Sequence, residues 1–371
     1  MKFIHLADLH LGKRVNDFSM IDEQKNILSQ IVEITRSQKP DAVFIAGDVY
    51  DKLVPPAEAV ALFDGFLSEL AGLSVHTFVI SGNHDSPERI AFGSSLMDKS
   101  GVHMSPVYDG RLTKHTLKDE YGEVDIYMLP FIRPANVRRF FEDKEIASYT
   151  DAVNAAVDAM DIDFDGKRNI LISHQFVTGG ATCDSEVFSV GGTDNVDKSA
   201  YDGFDYVALG HLHGAQNIGD ERIRYSGTPL KYSFSEARHK KSVSVVTLKN
   251  KGELETEEIP LTPIHDLREI SGELDELIKT PSQDYLHITL TDEVRIPDVF
   301  AKLRVYFPNL MKVDYVSRGG TPELLDIKAY EKRTPEEIAE MFFEQQNGRP
   351  MNEQQRGITH ALIEKIWREQ L

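Results

Sequence analysis

The run Met1-Lys2-Phe3-Ile4-His5-Leu6-Ala7-Asp8-Leu9-His10 moves from a short apolar stretch straight into an acid and a histidine. Phe3 to Ala7 are apolar apart from His5, without a polar alternation, the pattern of a strand covered on both faces, as parallel strands are. The pattern recurs along the chain. Ala42-Val43-Phe44-Ile45-Ala46 leads into Gly47-Asp48-Val49-Tyr50-Asp51, and Val75-His76-Thr77-Phe78-Val79-Ile80 leads into Ser81-Gly82-Asn83-His84-Asp85. Between them lie two helical periods. One runs from Ile21 to Arg36 with Ile27, Leu28, Ile31, Ile34 and Thr35 on a face; the other is opened by Pro55 and Pro56, with Val60, Phe63, Leu67 and Leu70 on a stripe. This βαβαβ order predicts parallel pairing with right-handed crossovers.

Working outward, strand signals stand near 112–118 and 124–130 and a helix near 151–160. Two more buried strands follow. Ile170-Leu171-Ile172-Ser173 runs into His174, and Tyr206-Val207-Ala208-Leu209 runs into Gly210-His211-Leu212-His213. From 215 to 259, short strands with turn residues imply an antiparallel close. Pro260 and Pro263 mark a boundary, after which 264–318 read β-α-β-α-β, with strands at 286–290 and 311–316 and a helix near 297–306. Gly319-Gly320-Thr321-Pro322 breaks the chain again. Thr334-Pro335-Glu336-Glu337 is a capping box with Pro at the first helical position, and Asn352-Glu353-Gln354-Gln355 resembles a second. The expected domains are 1–261, 262–320 (a small α/β capping or DNA-binding domain) and 321–371 (a helical tail for docking a partner).

The 371 residues carry 60 acidic and 41 Lys or Arg side chains, a formal charge of −19. At 41% hydrophobic residues the chain is too apolar for disorder and long enough for two or three domains. The charge argues against a small basic DNA-coating protein or an anionic-membrane binder, without excluding nucleic acid as a substrate. The single cysteine, Cys183, excludes an internal disulfide and a Cys-rich zinc site, and points to a reducing, cytoplasmic setting. The N-terminal apolar run is too short for a signal peptide, and no run of about 18 apolar residues offers a membrane span.

Five strand ends therefore finish in metal-ligand residue types, and sites in α/β sheets form beyond the carboxyl ends of strands. Asp8, His10, Asp48, Asn83, His174, His211 and His213 supply seven side chains, enough for two divalent metals if one carboxylate, sensibly Asp48, bridges. Mixed carboxylate, amide and imidazole ligands suit Mn²⁺, Fe or Zn²⁺ better than Mg²⁺ or Ca²⁺. Two such ions lower the pKa of water and clamp phosphate oxygens. His84, beside Asn83 but pointing elsewhere, is left to face substrate as a general acid or charge stabiliser, with Asp85 or Asp51 to orient it or a metal-bound imidazole. His5, His76, His103, His115, His239, His265, His287 and His360 read as structural. Asp-x-His alone is common. A buried strand gains nothing structurally from the two histidines of Gly-His-Leu-His, so that ending is the more specific signal.

In this order, Asp-x-His, Gly-Asp-x-x-Asp, Gly-Asn-His-Asp, a single His and Gly-His-x-His resemble the calcineurin-like metallophosphoesterase family. The resemblance implies an α/β fold of two packed β-sheets flanked by helices, with a dinuclear site at the strand ends. One metal would take Asp8, His10, Asp48 and His213, the other Asp48, Asn83, His174 and His211, and His84 would be catalytic. Ile4 to Lys13, His174 to Gly180, Ser189-Val190-Gly191-Gly192-Thr193, Phe204 to His213 and Tyr225 to Leu230 are similar to SbcD-type nucleases within that family. That implies a Mn²⁺-dependent nuclease for DNA repair, with 3′–5′ duplex exonuclease and single-strand or hairpin endonuclease activity. It also implies an SbcC-type ATPase partner bound through the tail, and a homodimer within a heterotetramer. Alternatives of the same fold are a phosphoesterase acting on nucleotides or phosphoproteins, and an inactive scaffold.

Two further expectations concern surfaces. Ile338, Met341, Phe342 and Gln345 share a face of the first tail helix. Ile358, Ala361, Leu362 and Ile366 share one on the second, which Ile363, Trp367 and Leu371 widen. DNA contacts are sought among Lys13 and Arg14, among Arg133, Arg138 and Arg139, and among Arg238, Lys240 and Lys241, although such runs are most often plain solvated surface. The loop from Gly179 to Gly192 is long enough to be a substrate-contact segment.

Overall fold

The computed structural model describes residues 1–186, 194–316 and 334–368, with backbone alone at 345–346 and 364–368. Ser189 to Thr193, much of the Gly179–Gly192 loop, the Gly319–Pro322 break, Leu371 and the side chains of Gln345, Ile366 and Trp367 lie outside the described residues. The chain divides into two compact units, Met1–Glu269 with Gln283–Leu286 and Ile270–Ser282 with His287–Leu371.

The first unit begins β1 (Lys2–Leu6), α1 (Ile21–Gln38), β2 (Ala42–Ala46), α2 (Ala57–Gly72) and β3 (His76–Ile80), and β4 (Val102–Met104) follows. Next come β5 (Thr113–Asp119), β6 (Gly122–Leu129), α3 (Tyr149–Asp158), β7 (Arg168–His174) and β8 (Tyr206–Gly210). It closes with β9 (Gln216–Ile218), β10 (Asp220–Tyr225), β11 (Ser242–Leu248) and β12 (Leu254–Pro260). One six-stranded sheet has the order β12-β11-β1-β2-β3-β4, the other β9-β10-β8-β7-β6-β5. β1, β2 and β3 pair in parallel, as the sequence predicts, β4 adds a further parallel strand that the sequence reading did not include, and β11 and β12 add antiparallel strands. The 215–259 stretch is not wholly antiparallel: β10 lies parallel to β8 and antiparallel only to β9.

Period-two alternation sorts the core. Phe3, Phe44 and Phe78 of one sheet share a cluster with Ile126, Met128, Ile170, Ile172, Tyr206 and Ala208 of the other. The intervening Tyr127, Leu129, Leu171, Val207 and Leu209 point the opposite way and join Ala152, Val153 and Ala156 of α3. On α2 the buried face is Ala59, Phe63, Phe66, Leu67 and Leu70; Val60, expected on that stripe, is exposed. Pro56 is the extended N-cap residue of that helix rather than its first turn. On α1, Val32 is buried, whereas the expected Ile34 is only partly covered.

A three-stranded sheet of order β13 (Leu267–Gly272), β14 (Tyr285–Leu290) and β15 (Leu310–Tyr315) follows, with the helix α4 (Val299–Arg304) before its last strand. Then come α5 (Pro335–Asn347) and α6 (Glu353–Arg368). Thr334 and Glu337 form the expected capping box. Asn352 and Gln355 bond reciprocally at 3.0 and 2.8 Å. Arg356 meets Glu340 at 3.1 Å, which ties the two helices together. No described helix is long and apolar enough to cross a membrane.

At the sheet edge, Arg168 holds Asp119 with both guanidinium nitrogens, at 2.5 and 3.0 Å. Burial pushes the Asp119 carboxyl up, but the hydrogen bonds from Arg168 and from the Met1 ammonium outweigh it and hold it below the usual carboxylate range. A group with a depressed folded pKa stabilises above its unfolded pKa, and that contribution is lost as pH falls through the folded value. Asp119→Asn should therefore cost about 1–3 kcal/mol at pH 7 in urea unfolding. The gap to the unmodified chain should narrow below about pH 4. A gap that stays constant with pH refutes the pairing.

Candidate metal centre

Because β1, β2 and β3 run parallel in one sheet and β7 and β8 in the other, their carboxyl ends deliver Asp8, Asp48, Asn83, His174 and His211 to one place. The ends meet at very short range. His174 Nδ1 donates to the Ala46 carbonyl at 2.8 Å, which fixes the tautomer and leaves Nε2 facing Asn83 Oδ1 at 3.0 Å and Asp48 Oδ2 at 3.4 Å. A Cβ on Gly210 would stand 1.9 Å from the Ala46 oxygen, and one on Gly82 would stand 2.1 Å from Asp48 Oδ1. Glycine is required at both positions by space. The backbone is also forced: Asp8, His10, Asp48 and His211 have φ of 54°, 45°, 49° and 108°. Such left-handed residues cost about 1–3 kcal/mol each and cluster at functional sites.

The structure brings all seven expected ligand side chains together. Both Asp8 oxygens accept from the His211 backbone N–H at 3.0 Å, and His211 Nδ1 lies 3.0 Å from Asn83 Oδ1. His10 Nε2 faces His213 Nε2 at 3.2 Å. Ligand atoms of Asp8, His10 and His213 lie within 4.8 Å of one another, as do those of Asp8, Asp48 and His174. In this arrangement Asp8 and Asp48 both stand among more than one group of donors.

The donor set fits divalent cations. Two buried imidazole nitrogens that face each other at 3.2 Å cannot both donate, and His10 Nδ1 has no hydrogen-bond partner, with Asp51 Oδ1 3.8 Å away. Burial lowers the His10 pKa and pushes that of His211 down to about 3, so both offer lone pairs at neutral pH. Burial works the same way on His174, but the Asp48 carboxylate overrides it and lifts the ring to about 9. That proton stands where a cation would act.

His84 sits at the rim, half-buried. Its backbone N–H donates to Asp48 Oδ1 at 2.8 Å, its Nδ1 donates to the Asp51 carbonyl at 2.9 Å, and its ring stands 4.9 Å from that of His10. Of the two residues expected to orient it, Asp51 does so and Asp85 does not. Asp85 accepts from the backbone N–H groups of Val49, Tyr50 and Gly82 at 2.9–3.0 Å, so it shapes the loop and does not touch His84. Asp51 orients His84 through its carbonyl, while its carboxylate pairs with Lys13 Nζ at 2.7 Å.

Lys241, sought as a DNA contact, is buried instead. Its Nζ donates to Glu236 Oε2 at 2.6 Å, Thr228 Oγ1 at 2.6 Å and the His213 carbonyl at 2.9 Å. Lys13 is largely covered, whereas Arg14, Arg138, Arg139 and Lys240 are exposed, Arg138 with a hydrogen bond to the Ile146 carbonyl at 2.7 Å. Several supporting residues have no sequence signal. Ser185 Oγ lies 2.7 Å from His213 Nδ1 and donates to Glu236 Oε1 at 2.6 Å, and Glu186 accepts from the His213 N–H at 2.6 Å. Gln24 donates to the His10 carbonyl at 2.7 Å, and Tyr232 to that of Leu9 at 2.6 Å. Gln24 alone left a trace, as a polar residue on the buried face of α1.

Residues 1–215 match the family model described as calcineurin-like phosphoesterase, and residues 263–347 match one described as type 5 capsule protein repressor C-terminal domain. The chain is 32% identical over 373 residues to the SbcD subunit of the SbcCD nuclease of Staphylococcus epidermidis, covering 98% of each. Among solved structures, the protein TT1561 of Thermus thermophilus is similar over 69% of this chain and 98% of that one, at 13% identity and a TM-score of 0.39. A dimetal phosphatase from Danio rerio is similar over 71% and 99%, at 12% identity and a TM-score of 0.40.

The close approach makes a discriminating pair of variants. Gly210→Ala must move Ala46 or His174 and should destabilise by about 1–3 kcal/mol or more. Gly65→Ala, with nothing within 4 Å of the added Cβ on an exposed turn of α2, should stabilise by about 0.5–1 kcal/mol. Urea unfolding reads both, and effects of the same sign contradict the packing.

Proposed function

Because the chain belongs to the calcineurin-like phosphoesterase family, we propose that it is the metal-dependent DNA nuclease subunit of an SbcC–SbcD-type complex acting in DNA repair. The carrying observation is the convergence of Asp8, His10, Asp48, Asn83, His174, His211 and His213 at the strand ends, with His84 beside them. The likeness to a nuclease subunit over nearly the full length supports DNA as the substrate. These seven side chains would hold two divalent ions, and their mixed oxygen and imidazole donors favour Mn²⁺. When bound, the two ions supply neutralisation of phosphate charge and a lowered pKa for water.

The chain's own groups do the rest. The Asp51 carbonyl holds His84 Nδ1–H, so the imidazolium form can donate from Nε2 to the leaving 3′ oxygen of a phosphodiester. The His84 charge also stabilises the crowded phosphate oxygens of the transition state. Ser185 and Glu236 fix the ring plane of His213, and Lys241 keeps Glu236 ionised and in place. Exposed Arg14, Arg138, Arg139 and Lys240 remain for the DNA backbone.

Residues 1–261 form the nuclease domain, 262–320 a small α/β DNA-binding domain, and 321–371 dock an SbcC-type ATPase. Phe342, Ile358 and Leu362 are more than half exposed on α5 and α6 and offer the apolar contact. The working assembly is a homodimer within a heterotetramer, cytoplasmic and nucleoid-associated. Its activities are 3′–5′ duplex exonuclease and hairpin or single-strand endonuclease.

The deciding experiment is hydrolysis of duplex and hairpin DNA with Mn²⁺ against chelator, with and without the ATPase. His84→Gln should bind Mn²⁺ normally and lose about 10²–10⁴-fold in rate. An unchanged rate removes His84 from the mechanism. Glu236→Gln should weaken Mn²⁺ binding by about 10–100-fold. Equal affinity would show that the carboxylate does not position His213.

A further inference from the structure

Outside the strand-end centre, four groups meet at the opposite end of β3. His76 opens that strand, His103 is the middle residue of β4, His115 lies in β5, and Asp98 begins the short turn before β4. β4 is the last strand of one sheet and β5 the last strand of the other, so the cluster spans the edge where the two sheets open. Asn83 and His84 follow the far end of β3, which separates this cluster from the site already described.

The geometry is tight. His103 Nδ1 lies 2.6 Å from Asp98 Oδ1, and His103 Nε2 lies 3.1 Å from His76 Nδ1. The His103 and His115 ring centroids are 4.3 Å apart, and one ligand atom each of Asp98, His103 and His115 lies within 4.8 Å of the others. Phe78 packs beneath, with its centroid 4.6 Å from that of His103 and 5.5 Å from that of His115. Three imidazoles gathered around one phenyl ring give a sheet edge nothing that three aliphatic side chains would not, and they repel if charged.

We propose that Asp98, His103 and His115 form a third metal site, for a divalent transition ion of the zinc class. In this site His76 orients His103 from behind. The His103 Nε2–H donates to His76 Nδ1, which turns the Nδ1 lone pair toward Asp98. A proton otherwise shared between Nδ1 and the Asp98 carboxylate is released to solvent as the cation takes its place. Two imidazole nitrogens and one carboxylate oxygen are a zinc-type donor set, with bonds of about 2.0–2.2 Å and a fourth position for water. Asp98 has 55% of its side chain exposed, which gives the ion a route from solvent. An ion here ties β4 to β5 and clamps the two sheets at their open edge, stabilising the folded chain by mass action.

The test uses the full chain with Zn²⁺ as the probe. The unmodified chain, His115→Ala and Asp98→Ala are each equilibrated with buffered Zn²⁺ at one free concentration. Bound metal is counted per chain and the thermal midpoint is recorded with and without the ion. Each variant should hold one equivalent fewer and lose most of the Zn²⁺-dependent rise in midpoint. Both should keep Mn²⁺-dependent phosphodiester hydrolysis, since neither residue belongs to the strand-end centre. Asp98→Ala removes an exposed side chain, so the comparison stands even where His115→Ala fails to fold. Equal zinc equivalents and equal midpoint shifts in all folded chains overturn the site.

Discussion

The Ala46 carbonyl is where the two sheets are joined. It accepts the His174 Nδ1–H at 2.8 Å, and the bare Cα of Gly210 lies against it so closely that a Cβ would stand 1.9 Å away. One contact thus sets the distance between β2 of one sheet and β7 and β8 of the other. That distance decides whether Asp8 can reach the His211 N–H and whether Asn83 can lie 3.0 Å from both His174 and His211. The aromatic and aliphatic layer between the sheets supplies the driving force for packing. The strand-end hydrogen bonds supply the registry.

Preorganisation here is maintained against local strain. Four of the seven candidate ligands adopt positive φ, and none of them is glycine: Asp8, His10, Asp48 and His211. Such conformations persist because the surroundings over-determine them. Asp85 gathers three backbone N–H groups of the loops that carry Asp48 and Asn83, and Gln24 and Tyr232 hold the loop that carries His10. On the other side, Glu236, Ser185 and Lys241 build a buried charged network around His213. A buried polar network is costly when partly satisfied and rigid when complete. Here the ion pair between Lys241 and Glu236 closes it.

A formal charge of −19 is compatible with an anionic substrate because the total is a poor guide to the local field. Only Asp8 and Asp48 among the seven candidate ligands are anionic, so two divalent cations leave the centre positive. Much of the remaining acidity lies on the surface, as Glu255, Glu257 and Glu258 along the edge strand β12 illustrate. A charged edge strand also resists pairing with other chains.

How much of this was written in the chain order is uneven. Short unbroken apolar runs such as Ala42 to Ala46, bounded by helical periods and followed at once by Gly and ligand-type residues, read as strands covered on both faces, so the parallel core and the seven strand-end side chains were legible locally. So was His84, since adjacent residues on a turn diverge. The parallel pairing of β10 with β8, the burial of Ala59 and Phe66 in place of Val60, and the roles of Asp85 and Lys241 were not. Each depends on partners far away in sequence: Lys241 reads as one of three basic neighbours until Glu236 and the His213 carbonyl close on it, and Asp85 reads as a partner of His84 until the Val49 and Tyr50 amides take it. Which residue types stand at the strand ends could be read from the chain order alone, because an apolar run and the residues that follow it are local features of the sequence. Only the tertiary structure decided which carboxylate bonds which imidazole, and that His76, His103 and His115 from three strands share one edge, because those distances are set by the packing of one sheet on the other.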